Sequence, residues 1–267
     1  MQELFVSKII KQIENGCTQP LLALVSDGVL EFPAVIKTRG NQQGILTLIN
    51  EWICYRLACK VDLLMPNSGV AVINEESDTQ LLQNRKNIQK DWGHCFYSGY
   101  IQKSTILNES IMQDIQNKEM YEKIILFDHI IYNKDRNRGN LLISTEKSVK
   151  RIYAIDHTHV FKNQTLWDKH CFHQGMRSND YRDKDILEYN GYDLFFGSKE
   201  INEGTLMREV AIFKDNIKEQ DLDQIFKSIP PDWQIEPENL LALKEYVLYR
   251  ISHLDEICKL IDEWKRR

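Results

Sequence analysis

FDHIIYNKDRNRGNLLI, residues 127–143, and YAIDHTHVF, residues 153–161, carry the strongest structural signal in this chain of 267 residues. Apolar side chains at helical spacing precede the polar, turn-forming run NKDRNRGN. Two short apolar segments follow, 141–144 and 152–155, and the charged turn between them is typical of a β-hairpin. The sequence therefore predicts a buried helix, a polar loop and a hairpin in succession, with an aspartate directly after the second strand.

Three polar side chains in this stretch stand at spacings that suit phosphoryl transfer. Asp135 and Asn140 are separated by four residues in the predicted loop, and Asp156 follows the predicted hairpin. In protein kinases an Asp-x-x-x-x-Asn loop supplies the base for the attacking hydroxyl and an amide ligand for Mg²⁺, and an aspartate after a hairpin holds the metal ions. The loop pattern alone is expected about once by chance in a chain of this length. Because Asp, Asn, Arg and Gly are also turn residues, a plain surface loop is the alternative interpretation.

The first hundred residues combine short strands with one clear helix. Four segments have the composition and alternation of strands: 21–26, 32–38, 69–73 and 95–101. Between the second and the third, apolar residues recur every three or four positions over 46–61, which predicts an amphipathic helix. Residues 75–91 are polar and are also predicted to be helical. The N-terminal part is therefore expected to be a sheet with an inserted helix.

The order of the predicted elements indicates two further candidate site residues. Lys37 ends the second predicted strand, and Glu51 lies on the helix that follows. A strand lysine that reaches the nucleotide phosphates and a helical glutamate that pairs with it are both required for phosphoryl transfer in kinases. Taken singly, a solvated strand end and a solvated helix face are the simpler interpretations. The order lysine, glutamate, Asp-x-x-x-x-Asn, aspartate is the stronger signal.

The rest of the chain is predicted to be mostly helical. Apolar residues at helical spacing over 240–264 predict one long C-terminal helix behind Pro237. The polar, aromatic segment 162–204 shows no clear period, and the fold of 162–235 stays open. We therefore divide the chain into an N-terminal part, residues 1–103, and a C-terminal part, residues 104–267.

These segments resemble the HipA-like kinase family in its compact form. The matching segments are VIKTRGNQQG with INEWICYRLA within 35–58, HCFYSGYI at 94–101, FDHIIYNKDRNRGNLLI at 127–143 and YAIDHTHVF at 153–161. The resemblance implies an α+β, two-lobed protein-kinase-like fold, with an N-lobe of mostly antiparallel sheet and one helix and a mostly helical C-lobe. It also implies that ATP binds between the lobes with Mg²⁺ as co-catalyst.

By the same resemblance, five residues take catalytic or phosphate-binding roles. Asp135 is the expected catalytic base, and Asn140 and Asp156 are the expected Mg²⁺ ligands. Lys37 is expected to contact the phosphates, and Glu51 to orient Lys37.

The resemblance further implies a loop over the phosphates that contains Gly16 and Thr18, and an adenine-contacting segment from Ser98 to Tyr100.

The chain departs from ordinary Ser/Thr/Tyr kinases, because no G-x-G-x-x-G precedes the lysine and neither His-Arg-Asp nor Asp-Phe-Gly is present. The expected activity is transfer of the ATP γ-phosphate to a hydroxyl, foremost a protein serine or threonine. A nucleotide-binding regulator without transfer and a lipid or sugar kinase are the alternatives, and an antitoxin or regulator protein is an expected class of partner.

Composition limits the function classes. With 34 Lys and Arg against 39 Asp and Glu the net charge is −5, which argues against a dedicated nucleic-acid binder. Hydrophobic residues at 42% and charged residues at 27% are ordinary globular values, which argue against disorder.

Six scattered cysteines without a CxxC pair suit reduced thiols. With neither a signal peptide nor a membrane span in the sequence, a cytoplasmic protein is expected. A zinc site among His157, His159, His170, Cys171 and His173 is a minor alternative, because their spacing fits no common signature.

Overall fold

The computed structural model of the protein describes residues 4–13, 18–82, 88–146, 149–197 and 201–266. Within these residues the strands are β1 (Phe5–Gln12), β2 (Leu21–Ser26), β3 (Glu31–Lys37), β4 (Ser68–Ile73), β5 (Gly93–Gly99), β6 (Ser104–Ile106), β7 (Leu141–Ser144) and β8 (Arg151–Ala154). The helices are α1 (Leu46–Lys60), α2 (Glu109–Met112), α3 (Met120–Ile130), α4 (Lys169–Arg177), α5 (Asp185–Tyr189), α6 (Asp193–Phe196), α7 (Glu203–Asn216), α8 (Glu219–Lys227), α9 (Pro237–Ser252) and α10 (Leu254–Lys265). The protein is therefore a mixed α+β protein with a sheet-rich N-terminal part.

The first five strands close into a barrel in the order β1-β2-β3-β5-β4. All pairs are antiparallel except the closing one, where Phe5 of β1 lies beside Val72 of β4 in parallel orientation. The register of β1 against β2 shifts twice, and such irregularities bend a strand and increase its twist. The bent β1 therefore lets a five-stranded sheet close on itself.

The predicted hairpin of β2 and β3 is confirmed. One carboxylate oxygen of Asp27 accepts hydrogen bonds from the backbone N–H groups of Val29 and Leu30, at 2.9 and 2.8 Å. Gly28 takes a φ of +91°, which an L-residue with a side chain rarely adopts. This turn sets the register of β2 against β3, and on the other edge of β3 Lys37 stands opposite Phe96 of β5.

Helix α1 connects β3 to β4 but shares its core with the C-terminal part. Its apolar residues, among them Leu48, Ile53 and Leu57, are fully buried and pack in one cluster with α3 and the C-terminal helices. The barrel interior is a separate, smaller cluster. Glu51 is therefore carried by an element that bridges the two parts of the chain.

Helix α3 forms the centre of the C-terminal part. Every residue of α3 is buried, and α7, α9 and α10 contact it. A helix without an exposed face is a core helix. Beside it, β6, β7 and β8 form a three-stranded antiparallel sheet, and β7 with β8 is the predicted second hairpin. The loop between α3 and β7 therefore starts and ends on fixed elements.

The prediction of a helix over 75–91 is wrong for the part of it that the structure describes. Only two short 3₁₀ turns are present there, Gln80–Leu82 and Ile88–Asp91, and the part between them lies outside the described residues. The backbone N–H of Asn74 donates to the side-chain oxygen of Ser77 at 3.1 Å. Short polar side chains that bond the nearby backbone compete with helix formation.

The single long helix predicted over 240–264 is two helices. The chain breaks at His253, whose backbone N–H donates to Arg250 O, three residues back. The carbonyl of Tyr249 instead accepts from Ser252 Oγ at 2.7 Å and contacts His253 Nδ1 at 2.8 Å. These side chains replace the regular backbone bond, so α9 ends at Ser252 and α10 begins at Leu254. Strand β1 is also missing from the prediction, because its register shifts disturb the alternation of buried residues.

Two sequence-based expectations concern the chain as a whole. The five cysteines within the described residues are free thiols: Cys54, Cys59, Cys95, Cys171 and Cys258. None of the described helices is both long enough and apolar enough to span a bilayer.

Candidate active site

The ammonium group of Lys37 is the meeting point of three elements. It lies at the end of β3, and its Nζ donates to Glu51 Oε1 of α1, to Asp156 Oδ1 at 2.8 Å and to Thr158 Oγ1 at 2.6 Å. The side chain of Lys37 is 8% exposed and that of Glu51 is 3% exposed. Strand, helix and the segment after β8 are therefore joined at one buried charge.

This cluster shifts the pKa of each member. Burial alone would lower the pKa of Lys37, but the carboxylates of Asp156 and Glu51 raise it above its usual value. Burial also tends to raise the pKa of Asp156, and the Lys37 ammonium outweighs it and lowers that pKa. For Glu51 burial is the stronger influence, so its pKa is raised in spite of Lys37. Lys37 and Asp156 therefore stay charged at neutral pH.

The four residues after Ile155, DHTH at 156–159, distribute their side chains to both sides of the site. The first and third bind the strand lysine, as described above. The second, His157, is fully buried and accepts from the guanidinium of Arg136 at 2.7 Å. The fourth, His159, brings its Nδ1 to 3.2 Å from Asp135 Oδ2. This DHTH segment therefore links the lysine cluster to the predicted catalytic loop.

Asp135 stands in the loop between α3 and β7 with its backbone fixed and its carboxylate accessible. Its N–H donates to Asn133 Oδ1 at 2.8 Å, and its carbonyl accepts from Asn140 Nδ2 at 2.7 Å. Among the described residues the carboxylate has two longer contacts, to His159 and, at 3.3 Å, to Asn137 Nδ2. The side chain is 42% exposed, so a ligand can reach it.

A buried ion pair supports this loop from below. The guanidinium of Arg136 donates to the Asp128 carboxylate at 2.9 and 3.0 Å, and both side chains are fully buried. The other Arg136 nitrogen donates to the carbonyls of Asn140 and Ile155, at 3.1 and 2.8 Å. One arginine thus fixes both the end of the loop and the residue before Asp156.

The pairing of Arg136 with Asp128 and the contact of His159 with Asp135 are features of the site that the sequence does not predict. Arg136 is fully buried against Asp128, so it supports the loop and is not a surface contact for substrate. A signal was available, because an aspartate within the apolar run of α3 needs a buried partner. His159 carried no comparable signal.

A cavity of about 400 Å³ opens between the barrel and the hairpin of β7 and β8. Most of the predicted site residues line it: Lys37, Glu51, Ser98, Tyr100, Asn140 and Asp156. Its other walls are mainly apolar and come from both sides, with Val35 and Phe96 from the barrel and Leu142 from the hairpin. We call this cavity the apolar cleft.

Three predicted residues are not among the described residues that line the apolar cleft. Thr18 is buried and is not one of the described residues that line the apolar cleft, although Ile13 and Pro20, at the ends of the same connection, do line it. Gly16 lies outside the described residues. Asp135 does not line the cleft, but its carbonyl accepts a hydrogen bond from Asn140, which does.

The donor atoms at the end of the cleft suit a hard divalent cation. Asp156 uses one carboxylate oxygen for Lys37, and its other oxygen has no hydrogen-bond partner within the described part of the chain. The amide nitrogen of Asn140 is committed to Asp135, which leaves its amide oxygen for another ligand. Mg²⁺ prefers oxygen ligands and is held by one or two carboxylates together with substrate phosphates. Among the described residues no group of three His, Cys, Asp or Glu side chains is arranged to hold a metal, so the histidines near residue 170 form no such site there.

Comparisons with known proteins place the chain in a family and show which solved structures have a similar fold. A family model described as HipA-like kinase matches residues 6–190. The crystal structure of the Helicobacter pylori proinflammatory kinase CtkA superposes with a TM-score of 0.61 at 10% identity, over 96% of this chain and 97% of that one. HipA in the Shewanella oneidensis MR-1 complex with HipB and operator DNA gives a TM-score of 0.47 at 10% identity, over 96% of this chain and 68% of that one. A comparison with curated protein sequences gives no match.

Proposed function

The chain belongs to the HipA-like kinase family, and from that premise we propose that it is an ATP- and Mg²⁺-dependent kinase that phosphorylates serine or threonine hydroxyls of a protein. One observation carries this proposal: Lys37, Glu51, Asn140 and Asp156 line one cleft, and the exposed carboxylate of Asp135 stands next to it. Phosphoryl transfer depends mainly on positioning and on neutralising charge, and these groups supply both.

The nucleotide would bind in the apolar cleft with its base between the barrel and the hairpin. Val35 and Phe96 offer apolar contact on one side and Leu142 on the other, next to Ser98 and Tyr100. The barrel and the C-terminal part then act as two lobes around the nucleotide, divided between residues 103 and 104. A phosphate-covering role of the loop with Gly16 and Thr18 stays a prediction.

The chain's own residues prepare the phosphate end of the cleft. Lys37 offers a fixed positive charge, and Glu51 holds its ammonium in place from α1. Asn140 and Asp156 would hold Mg²⁺, which neutralises the charge on the phosphate oxygens when bound. Thr158 also helps to orient the Asp156 carboxylate, because its backbone N–H donates to that carboxylate at 3.4 Å.

Asp135 would act on the acceptor. Its carboxylate takes the proton of the hydroxyl while the hydroxyl oxygen bonds to the γ-phosphorus and the bond to the β,γ-bridging oxygen of ATP breaks, which releases ADP. A positioned base of this kind contributes about 10²- to 10⁴-fold to the rate. The half-exposed position of Asp135 leaves room for the acceptor on the side away from the cleft.

The test is incubation of the protein with γ-labelled ATP, Mg²⁺ and a cell lysate. The wild type is expected to label protein bands, and Asp135→Ala and Asp156→Ala are expected to abolish labelling, with weaker Mg·ATP binding only in Asp156→Ala. Asp114→Ala is the matched control, because Asp114 is an exposed aspartate paired with Lys150 at the surface. Full labelling by Asp135→Ala would contradict the assignment.

The same experiment separates the alternatives. Label in a small molecule selects a lipid or sugar kinase, and nucleotide-dependent thermal stabilisation without any labelled product selects a nucleotide-binding regulator. An antitoxin or other regulatory partner stays a prediction that this experiment does not address.

A further inference from the structure

A second cavity, of about 660 Å³, is lined by Lys134, which precedes Asp135, and by His159, which contacts the Asp135 carboxylate. Its walls are mainly polar and include Lys134, His159, Lys162, Gln174 and Asp183. We call it the polar cavity. It is larger than the apolar cleft and is built from the segments 159–164 and 171–185, which have no period in the sequence.

Asp135 lies between the two cavities. On one side its carbonyl bonds Asn140, which lines the apolar cleft. On the other side its carboxylate contacts His159, which lines the polar cavity, and the preceding residue Lys134 lines it too. In-line transfer requires the acceptor to approach opposite the leaving group, so an acceptor hydroxyl has to reach Asp135 from outside the apolar cleft.

The lysines of the polar cavity are already paired. Lys162 contacts Asp180 at 3.1 Å and Asp183 at 3.2 Å, and its ammonium also lies 4.0 Å from the centre of the Tyr132 ring. Lys134 contacts Asp185 at 3.2 Å. A phosphate-bearing or acidic acceptor would have to break these pairs, because the described walls offer no unpaired lysine.

Side-chain amides supply much of the remaining polar surface. Asn163, Gln164 and Gln174 line the cavity, and each amide is both a donor and an acceptor. A peptide backbone has the same alternation of N–H and C=O groups. A phosphate group has acceptors only, so these walls match a peptide better than a phosphorylated headgroup.

The wall formed by Phe161, Asn163 and Gln164 is held in a costly backbone conformation. Their φ values are +63°, +71° and +58°, and only glycine adopts this region freely. The N–H of Phe161 is fixed by the carbonyl of Ile131 at 2.6 Å. Such strain persists where the surrounding structure over-determines it, and it is concentrated at functional sites.

We propose that the polar cavity binds the phosphate acceptor, and that this acceptor is a peptide segment whose residues around the serine or threonine are polar and uncharged. This inference rests on the proposed function and adds the acceptor site and its charge preference. Paired lysines, side-chain amides and the position of Asp135 each support it.

The test uses the full chain with Mg²⁺, γ-labelled ATP and synthetic peptides that contain a single serine. One peptide set has only Gly, Asn and Gln around the serine, and the other has Asp at two of these positions. The wild type is expected to label the uncharged set at least about tenfold faster, which corresponds to about 1.4 kcal/mol. Preference for the acidic set, or label in a small molecule and in neither set, would overturn the proposal.

A cavity-filling variant locates the site. Gln174 is exposed on α4, so Gln174→Trp can fill the polar cavity without disturbing a core. Gln234→Trp is the matched control, because Gln234 is an exposed glutamine at a different cavity, next to Arg39. Peptide labelling is expected to fall at least about tenfold in Gln174→Trp only, with Mg·ATP-dependent thermal stabilisation unchanged in both variants.

Unchanged peptide labelling in Gln174→Trp would overturn the site. Loss of Mg·ATP-dependent stabilisation in the wild type, with no labelled product in a lysate, would instead overturn the proposed function. The two failures are therefore distinguishable.

Discussion

The two sides of Asp156 differ in how completely they are assembled. On the phosphate side, formed by Lys37, Glu51, Asp156 and Thr158, the lysine is bound by three partners and almost fully buried. On the acceptor side, Asp135 is 42% exposed, and the contacts of its carboxylate within the described part of the chain are at 3.2 and 3.3 Å. The phosphate side is thus preformed, whereas the acceptor side leaves its base for a ligand to complete.

The physical cause lies in burial. A buried ammonium is costly unless its hydrogen bonds are satisfied, so Lys37 needs its carboxylate partners before any ligand binds. A base must be reachable by the proton that it takes, so Asp135 cannot be enclosed in the same way. The acceptor side instead takes its rigidity from Arg136, which lies fully buried beneath the loop.

The largest expected effect is the loss of that support. Arg136→Met leaves Asp128 buried without its cation, and breaking a buried ion pair costs about 3–5 kcal/mol. Urea denaturation measures the loss of unfolding free energy. Adding Asp128→Asn to Arg136→Met is expected to recover part of it, because the unpaired charge is then removed. A loss below about 1 kcal/mol would show that the pair does not support the loop.

The second largest effect is expected from replacement of Lys37, which lies at the centre of the phosphate side. Lys37→Met is expected to lower phosphate transfer by about 10²- to 10³-fold, because a preorganised positive charge near the phosphates is lost. Lys60→Met is the control, since Lys60 is a partly exposed lysine on α1 paired with Asp221 at 2.6 Å. Its transfer rate is expected to match the wild type. Equal losses in both variants would mean that the phosphate side has no special role.

A smaller effect is expected on the acceptor side. His159→Ala removes one contact of the Asp135 carboxylate and is expected to lower kcat about tenfold with the KM for ATP unchanged, because orientation of the base is lost. His159→Asn should restore most of the rate, since its amide nitrogen occupies a place similar to Nδ1. His173→Ala, at an exposed histidine, is the control. A histidine with only a structural role would show no rescue by asparagine.

The smallest effect concerns the core below the acceptor side. His129 is fully buried, its ring nitrogens have no partner among the described residues, and burial together with Arg250 lowers its pKa well below the usual value. Below about pH 6.5 this histidine binds a proton in the unfolded chain but not in the folded chain. The free energy of unfolding therefore falls by up to about 1.4 kcal/mol for each pH unit below that value.

Urea denaturation at several pH values measures this slope. Above about pH 6.5 neither state gains a proton at this histidine, so its contribution is constant there. His129→Leu is expected to reduce the slope between about pH 6.5 and 5, and His173→Ala is expected to leave it unchanged. An unchanged slope in His129→Leu would contradict a neutral buried His129.

Sequence spacing placed the polar groups that directly follow an element end. Lys37 ends β3, and Asp156 comes two residues after β8, so local patterns located both. The pairing of Arg136 with Asp128 and the contact of His159 with Asp135 depend on how distant segments pack. A local sequence pattern does not show which charged side chain becomes buried. The polar cavity is not predicted for the same reason, because its walls come from segments that are distant in the sequence.

The break at His253 has a different cause. The apolar spacing continues through both α9 and α10, and only the side-chain bonds to the Tyr249 carbonyl interrupt it. Periodicity reports which face is buried and is insensitive to a change of axis.

The most direct test of the division between the two sides is calorimetric titration of Mg·ATP into the wild type, Asp135→Asn and Asp156→Asn, with label transfer measured on the same preparations. Asp135→Asn is expected to bind Mg·ATP within about twofold of the wild type and to lose transfer, because it acts only on the acceptor. Asp156→Asn is expected to lose Mg²⁺-dependent binding as well. Full transfer by Asp135→Asn, or wild-type Mg·ATP binding by Asp156→Asn, would contradict the separation of a preformed phosphate side from an open acceptor side.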